Sequence, residues 1–140
     1  MLAPMAEMDE FLKKVGSTFV WHEVYAASAQ KSADFYTEAL GWGIQEMDMG
    51  PGGKYKMLTV DGIAVAGIQG TAETPGMENI PAHWSVYTTV DDVDARLAKC
   101  TLLGGTVVVP PMDIPTVGRM ALIKDPQGAT FWLFKPSPKA

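Results

Sequence analysis

Apolar and polar residues alternate from Thr18 to Ala26, which predicts a β-strand with two different faces. One face carries Phe19, Trp21, Glu23 and Tyr25, and the other carries Val20, His22, Val24 and Ala26. The next residues change to helical spacing, with Ala33, Tyr36 and Leu40 in one apolar stripe. Ser28 or Ser32 can begin this helix, and Gly41 can end it.

Short apolar runs between turn residues predict the remaining strands. They cover Trp42–Met47, Tyr55–Val60, Ile63–Gln69, His83–Val90, Thr106–Val109, Val117–Ile123 and Ala129–Phe134. Asp61-Gly62 joins two of them and is a strong hairpin signal. Thr89, Asp91 and Asp92 can begin a second helix. The buried side of this helix would carry Val93, Leu97 and Cys100.

The pattern occurs twice. The segments Trp21–Ile44 and Trp84–Val107 both contain a strand, a helix ending in Leu-Gly, and a return to β-branched residues. The two tryptophans that open them are 84 − 21 = 63 residues apart. Such a repeat indicates two stacked supersecondary units, each βαβββ. Mixed strands with helices on one side of each sheet favour an α+β fold, with the two modules forming an open cup-shaped mixed sheet.

These boundaries predict one domain over residues 18–135. Its modules would be residues 18–70 and 82–135, joined by an aperiodic linker at 71–81. Residues 1–17 form an extension in which Met5–Val15 has helical apolar spacing before Gly16. Residues 136–140 form a tail.

Charge and composition exclude some classes of function and favour one cellular location. The net charge of −5 and the lack of a basic stripe argue against nucleic-acid binding. No apolar run approaches the roughly 20 residues that span a bilayer, so we expect no membrane contact. The first residues lack the features of a secretory signal, and Cys100 is the single cysteine. Both observations favour the cytoplasm.

Three motifs together are typical of one fold family: FY-x₃-LGW in the first half, and VDDVDA-x₈-GG and DP-x-G in the second. With them, residues 18 to 135 resemble the vicinal oxygen chelate superfamily. That superfamily includes glyoxalase I, extradiol dioxygenases and bleomycin resistance proteins. The motifs belong to the scaffold and carry little information about activity.

Metal-dependent members of that family hold one divalent ion with His or Glu from the first and last strands of each module. Carried over by position, these ligands fall at Trp21 or His22, at Ala66 or Gly67, at Ser85 and at Trp132. One possible donor, His22, does not hold a metal ion. The resemblance therefore implies a site without metal, and we expect no cofactor.

Two residues of the first strand are candidate acid/base groups. His22 has a side chain that titrates near neutral pH, and Glu23 would be costly to bury unless it is paired. Because they are adjacent in one strand, they cannot share a face. The alternatives are a hydrogen-bonded core histidine and a salt-bridged glutamate.

Aromatic residues on the strands predict the walls of a ligand site. Trp21, Trp84 and Trp132 lie on strands that line the cup in the family, and Tyr25, Tyr55 and Tyr87 can join them. They can equally fill a core. Arg119 can bind a carboxylate or phosphate, or form a surface pair with an aspartate.

Two classes of function remain. One is an enzyme, a lyase, isomerase or hydroxylase-like catalyst acting on a small flat or apolar molecule with His22 or Glu23. The other is a binding or sequestering protein of the drug-resistance type. Members of the fold commonly pair, and the amphipathic Met5–Val15 segment is extra to the repeat, so we expect a homodimer.

Overall fold

The computed structural model describes residues 5–138. The three α-helices of this range are α1 (Met5–Thr18), α2 (Ala29–Leu40) and α3 (Val93–Leu102). Its eight strands are β1 (Phe19–Ala26), β2 (Gly43–Asp48), β3 (Lys54–Val60), β4 (Ile63–Gly70), β5 (His83–Thr89), β6 (Thr106–Ile114), β7 (Gly118–Lys124) and β8 (Thr130–Pro136). Among these residues, no helix has the length and apolarity needed to cross a membrane.

The chain divides into two compact units. The first unit is Trp21–Ser85, and the second unit combines the residues up to Val20 with those from Val86 onward. The strand order is β2-β3-β4-β1 in the first and β5-β8-β7-β6 in the second. In both orders the opening strand pairs in parallel with the closing strand, and the other neighbours are antiparallel. Mixed sheets with βαβββ order confirm the predicted α+β class.

Helices α2 and α3 each cover one face of their own unit's sheet. In the first unit, Val24, Leu58, Ala66 and Ile68 pack against Ala33 of α2. In the second unit, the residues packed around α3 are Val93, Leu97, Ala121, Ile123 and Leu133. We call the opposite side of each sheet its helix-free face. Burial of these apolar side chains is what holds each helix to its sheet.

Local sequence fixes where several elements begin and end. Of the two predicted caps for α2, Ser28 is used, and its side chain accepts a hydrogen bond from the backbone N–H of Lys31. Gly41 ends the helix in the left-handed region at φ 71°. Asp61 (φ 52°) and Gly62 (φ 78°) both have positive φ, as a tight hairpin turn requires. Asp92 is the residue that caps α3.

Two predicted ends were wrong by three residues or more. Helix α1 continues through Gly16 to Thr18, because a glycine lowers helix stability without stopping the backbone hydrogen bonds. Strand β6 continues through Pro110 and Pro111 to Ile114. Its pairing with β7 shifts register twice, and β6 is last in its unit's strand order, where missing N–H donors are tolerated.

Candidate functional site

The helix-free face of the first unit carries a buried acid. Glu23 of β1 is in register with Gly67 of β4, and Gly67 is in register with Met57 of β3. The neighbouring pair His22 and Ala66 faces the other way, toward the core side where Val24 and Ala66 pack under α2. Glu23 is only 5% exposed.

Glu23 belongs to a chain of three hydrogen-bonded side chains. The Tyr55 hydroxyl donates to Glu23 Oε2 at 2.5 Å, and Trp21 Nε1 donates to the same hydroxyl oxygen at 3.4 Å. The bond from Tyr55 is made to one of the two carboxyl oxygens, Oε2.

Burial controls the protonation of this group. Desolvation raises the pKa of Glu23 from 4.5 to about 7, while the hydrogen bonds of Tyr55 and Trp21 act to lower it. Desolvation and the neighbouring carboxylate raise the pKa of Tyr55. Tyr55 therefore stays protonated and remains a donor while Glu23 exchanges its proton near neutral pH.

Gly67 makes room for this pair. A β-carbon at position 67 would overlap Tyr55 Oη and Glu23 Oε2. Any side chain at this position would displace one of the two oxygens. The strand position thus has a steric role that its lack of a side chain hides in the sequence.

The first unit also contains a stacked pair of aromatic rings. Tyr25 stacks on His83 with ring centroids 4.8 Å apart and planes 4° apart. The His83 Nδ1–H donates to the Pro81 carbonyl at 2.8 Å, which holds the ring in this orientation. No local pattern could predict this stacking, because Tyr25 and His83 lie on different strands.

The structure does not bring Trp84 together with Trp21. Trp84 Nε1 donates to the hydroxyl of Tyr36 on α2 at 3.1 Å, whereas Trp21 donates to Tyr55. Trp84 is 44% exposed. It follows that the two tryptophans do not form one wall, although they open the two copies of the repeat.

The helix-free face of the second unit is aromatic. Tyr87 stacks on Trp132 with centroids 5.0 Å apart and planes 2° apart, and it meets Phe134 edge to face at 6.3 Å. Trp132 is 7% exposed. Its Nε1, like Thr89 Oγ1, is buried without a hydrogen-bond partner among the described residues.

Arg119 lies apart from these rings. Its guanidinium donates twice to Asp94 of α3, at 2.8 and 3.0 Å, and once to Asp113 at 2.9 Å. These bonds raise its pKa, so it is always charged. The surface pairing that the sequence left open is formed, and Arg119 is on the α3 side of its sheet while Trp132 is on the other.

The donors present do not fit the metal that the family implies. Gly67 and Trp132 offer no suitable side-chain ligand, His22 faces the α2 side, and Glu23 is bonded to Tyr55. Within residues 5–138, no three His, Cys, Asp or Glu side chains are grouped so that they could hold a metal ion.

Taken together, the fold and the site define an α+β protein of two βαβββ modules, one of which buries an acid on its helix-free face. The sequence model of the Glyoxalase/Bleomycin resistance protein/Dioxygenase superfamily matches residues 18–133. The chain belongs to this superfamily, which confirms the resemblance drawn from its motifs.

Two relatives share more than a third of their aligned residues with this chain. CFP32 of Mycobacterium bovis, which bears the provisional name of a glyoxylase, is 38% identical over 122 residues, covering 87% of this chain and 45% of CFP32. Anthracycline biosynthesis protein DnrV of Streptomyces peucetius is 35% identical over 126 residues, covering 82% of this chain and 46% of DnrV. The chain therefore spans about half the length of the curated relatives it matches.

Solved structures share the fold at low identity. Methylmalonyl-CoA epimerase from Mycobacterium tuberculosis has a TM-score of 0.56 and 17% identity, covering 84% of this chain and 87% of its own. The Streptomyces coelicolor epimerase in complex with 2-nitronate-propionyl-CoA has a TM-score of 0.59 and 16% identity, covering 87% of this chain and 99% of its own. At this identity the likeness is one of fold.

Proposed function

We propose that this chain is an acid/base catalyst that moves a proton on a small, flat or apolar organic molecule, with Glu23 as the reacting group and without a metal ion. The reaction would be of the lyase, isomerase or hydroxylase-like kind. The observation that carries the proposal is the 2.5 Å hydrogen bond between Tyr55 and the buried Glu23.

Glu23 has the protonation behaviour that proton transfer needs. A general acid or base works best when its pKa is near the working pH, and burial raises the pKa of Glu23 to about 7. Both forms are then available in a neutral cell. We assign the transfer to Glu23 rather than to His22, because His22 faces the α2 side of the sheet.

Tyr55 and Trp21 would orient the carboxyl group. Tyr55 donates to Oε2, and the Trp21 N–H on the tyrosine oxygen directs the hydroxyl proton toward Glu23. With the group held through Oε2, we assign the proton transfer to the other carboxyl oxygen, Oε1. The ligand would lie against Trp21 and Tyr25, whose rings offer flat apolar surface beside the acid.

The donor set supports our proposal of a site without metal. A divalent ion needs several nitrogen or oxygen ligands, and the side chains near Glu23 that are named above supply a phenol and an indole N–H. Purified protein should hold well below one equivalent of nickel, zinc or iron by elemental analysis. A stoichiometric metal that survives gel filtration would contradict this part of the proposal.

The test of catalysis is proton exchange with solvent. Flat aromatic ketones that bind, as detected by tryptophan fluorescence, are incubated with protein in D₂O, and deuterium incorporation beside the carbonyl is followed by NMR. Glu23→Gln should slow exchange by about 100-fold or more. Glu46→Gln, which changes an exposed acid paired with Lys56, is the matched control and should leave exchange unchanged.

An alternative is a protein that binds and sequesters a flat molecule without reaction. It is favoured by the relative DnrV, which is named as an anthracycline biosynthesis protein. Tight binding with no exchange in either wild type or Glu23→Gln would support this alternative and reject catalysis.

We also propose that the chain works as a homodimer in the cytoplasm. Helix α1 leaves Phe11, Leu12 and Val15 exposed, which is apolar surface that a second copy can cover. Sedimentation should give twice the monomer mass of 15.1 kDa, and Leu12→Glu should shift the species to monomer. A wild-type monomer at micromolar concentration would contradict the dimer.

A further inference from the structure

A groove of about 340 Å³ runs along the first two turns of α2 in the first unit. Five of the residues that line it have helical spacing and therefore lie along one side of α2: Ser28, Lys31, Ser32, Phe35 and Tyr36. The groove is shallow and open to solvent along one side. Because α2 covers the opposite side of the sheet from Glu23, this groove is separate from the acid/base site.

The hydroxyl group of Ser32 lines the groove and has no hydrogen-bond partner among the described residues. The residue is 8% exposed. Thr37, one turn later, shows the usual alternative, because its hydroxyl donates to the Ala33 carbonyl at 2.8 Å. The Ser32 hydroxyl is therefore available to a molecule in the groove.

Lys31 gives the same end of the groove a positive charge. Its ammonium group forms no ion pair within residues 5–138, and two acids at the start of α2 have other hydrogen-bond partners. Glu73 accepts from the backbone N–H of Ala29 at 3.0 Å, and Asp34 accepts from Gln30 at 2.9 Å. An anion in the groove would thus meet a free ammonium group beside two serine hydroxyls.

The other end of the groove is aromatic. Phe35 is 61% exposed and meets Tyr36 edge to face with ring centroids 5.1 Å apart. Tyr36 is held in place by the Trp84 N–H, whose ring lies 5.3 Å away. The exposed ring of Phe35, packed on a tyrosine that is itself held in place, offers an apolar surface on which the aromatic ring of a ligand can pack.

We propose that this groove binds a small aryl carboxylate. The carboxylate would bond to Lys31 and the serine hydroxyls, and the ring would pack on Phe35 and Tyr36. Ser28 and Phe35 are seven residues apart, which is roughly 10 Å along a helix. A cinnamate-sized acid has a matching length between its charged and aromatic ends.

The proposal is tested by titrating cinnamate into the protein, with saturation-transfer NMR for affinity and the Trp84 indole N–H resonance as a local reporter. Lys31→Gln should weaken binding about tenfold, because the charge is lost. Ser32→Ala should weaken it by about tenfold or more, since one hydrogen bond to a charged group is removed. Alanine is the better helix former, so this variant keeps α2 intact.

Matched controls separate the groove from other sites. Lys13→Gln, on an exposed position of α1, should leave the affinity unchanged, and the neutral cinnamamide should bind at least tenfold more weakly than cinnamate. Glu23→Gln should also leave binding unchanged. The proposal is overturned if cinnamate does not bind saturably, or if Lys31→Gln and Ser32→Ala bind it as wild type does. Weakening by Glu23→Gln alone would place the ligand on the other face, which rejects the groove and leaves the acid/base proposal standing.

Discussion

The two units share a plan and differ on their helix-free faces. In the first unit, the opening strand β1 carries Glu23, and Gly67 of the closing strand β4 is in register with it. In the second unit, the opening strand β5 carries Tyr87, and Trp132 of the closing strand β8 is in register with it. Scaffold positions, such as the residues under α2 and α3, are apolar in both. The repeat therefore preserves the packing that forms a unit, and the chemistry differs because the helix-free face is not needed for that packing.

The largest expected difference between the units is the cost of removing a tryptophan. Trp132 is buried and stacked on Tyr87, so Trp132→Ala should lower the free energy of unfolding by roughly 3–5 kcal/mol. Trp84 is 44% exposed, so Trp84→Ala should cost about 1 kcal/mol. Urea unfolding measures both. If the two variants lose equal stability, the contrast between a structural and a peripheral ring is wrong.

The next effect is a pH dependence that belongs to the first unit. Because the pKa of Glu23 is about 7 in the folded protein and 4.5 ordinarily, the folded state binds the proton more tightly. The free energy of unfolding should then fall by about 3 kcal/mol as pH rises from 4.5 through 7. Glu23→Gln should remove this loss and melt higher than wild type at pH 8.

The control for this prediction is Glu46→Gln. Glu46 is exposed and its pKa is lowered by Lys56, so its removal should not stabilise the protein at high pH. A wild type whose stability does not change between pH 4.5 and 8 would show that Glu23 is not desolvated.

A smaller effect is expected from Tyr55→Phe. The substitution removes the hydrogen bond to Glu23 Oε2, which acts to lower the pKa of the acid, so that pKa should rise above 7. Stability at pH 8 should fall by about 1.5–3 kcal/mol, the usual contribution of a hydrogen bond to a charged group. Carboxyl ¹³C NMR of labelled Glu23 measures the pKa directly. An unchanged value would mean that Tyr55 does not bond to the carboxylate in solution.

The smallest effect sharpens the role of Gly67. Gly67→Ala places a methyl group where the Tyr55 and Glu23 oxygens meet, so one side chain must rotate away, at a cost of about 1–2 kcal/mol. Gly16→Ala is the matched control, because its β-carbon would meet nothing within 4 Å. In a helix it should stabilise by about 0.5–1 kcal/mol. Gly67→Ala should lower the melting temperature and Gly16→Ala should raise it. If both variants shift the melting temperature in the same direction, the steric role of Gly67 is contradicted.

Sequence alone determined the repeat, the α+β class and the local boundaries. These follow from short-range rules: period 2 in the strands, period 3.6 in the helices, and caps and turns at Ser28, Gly41 and Asp61-Gly62. Where the rules admit an exception, as at Gly16 and Pro110, the boundaries were missed.

Only the tertiary structure decided what the candidate residues do. Period 2 divides a strand into two faces, but it does not say which face a helix will cover. That depends on the packing of α2 on Val24 and Ala66, which turns Glu23 to the helix-free side and Trp84 toward Tyr36. Tyr55 is 32 residues from Glu23, so no local pattern could pair them. Their hydrogen bond exists because strand register brings a residue without a side chain, Gly67, between them.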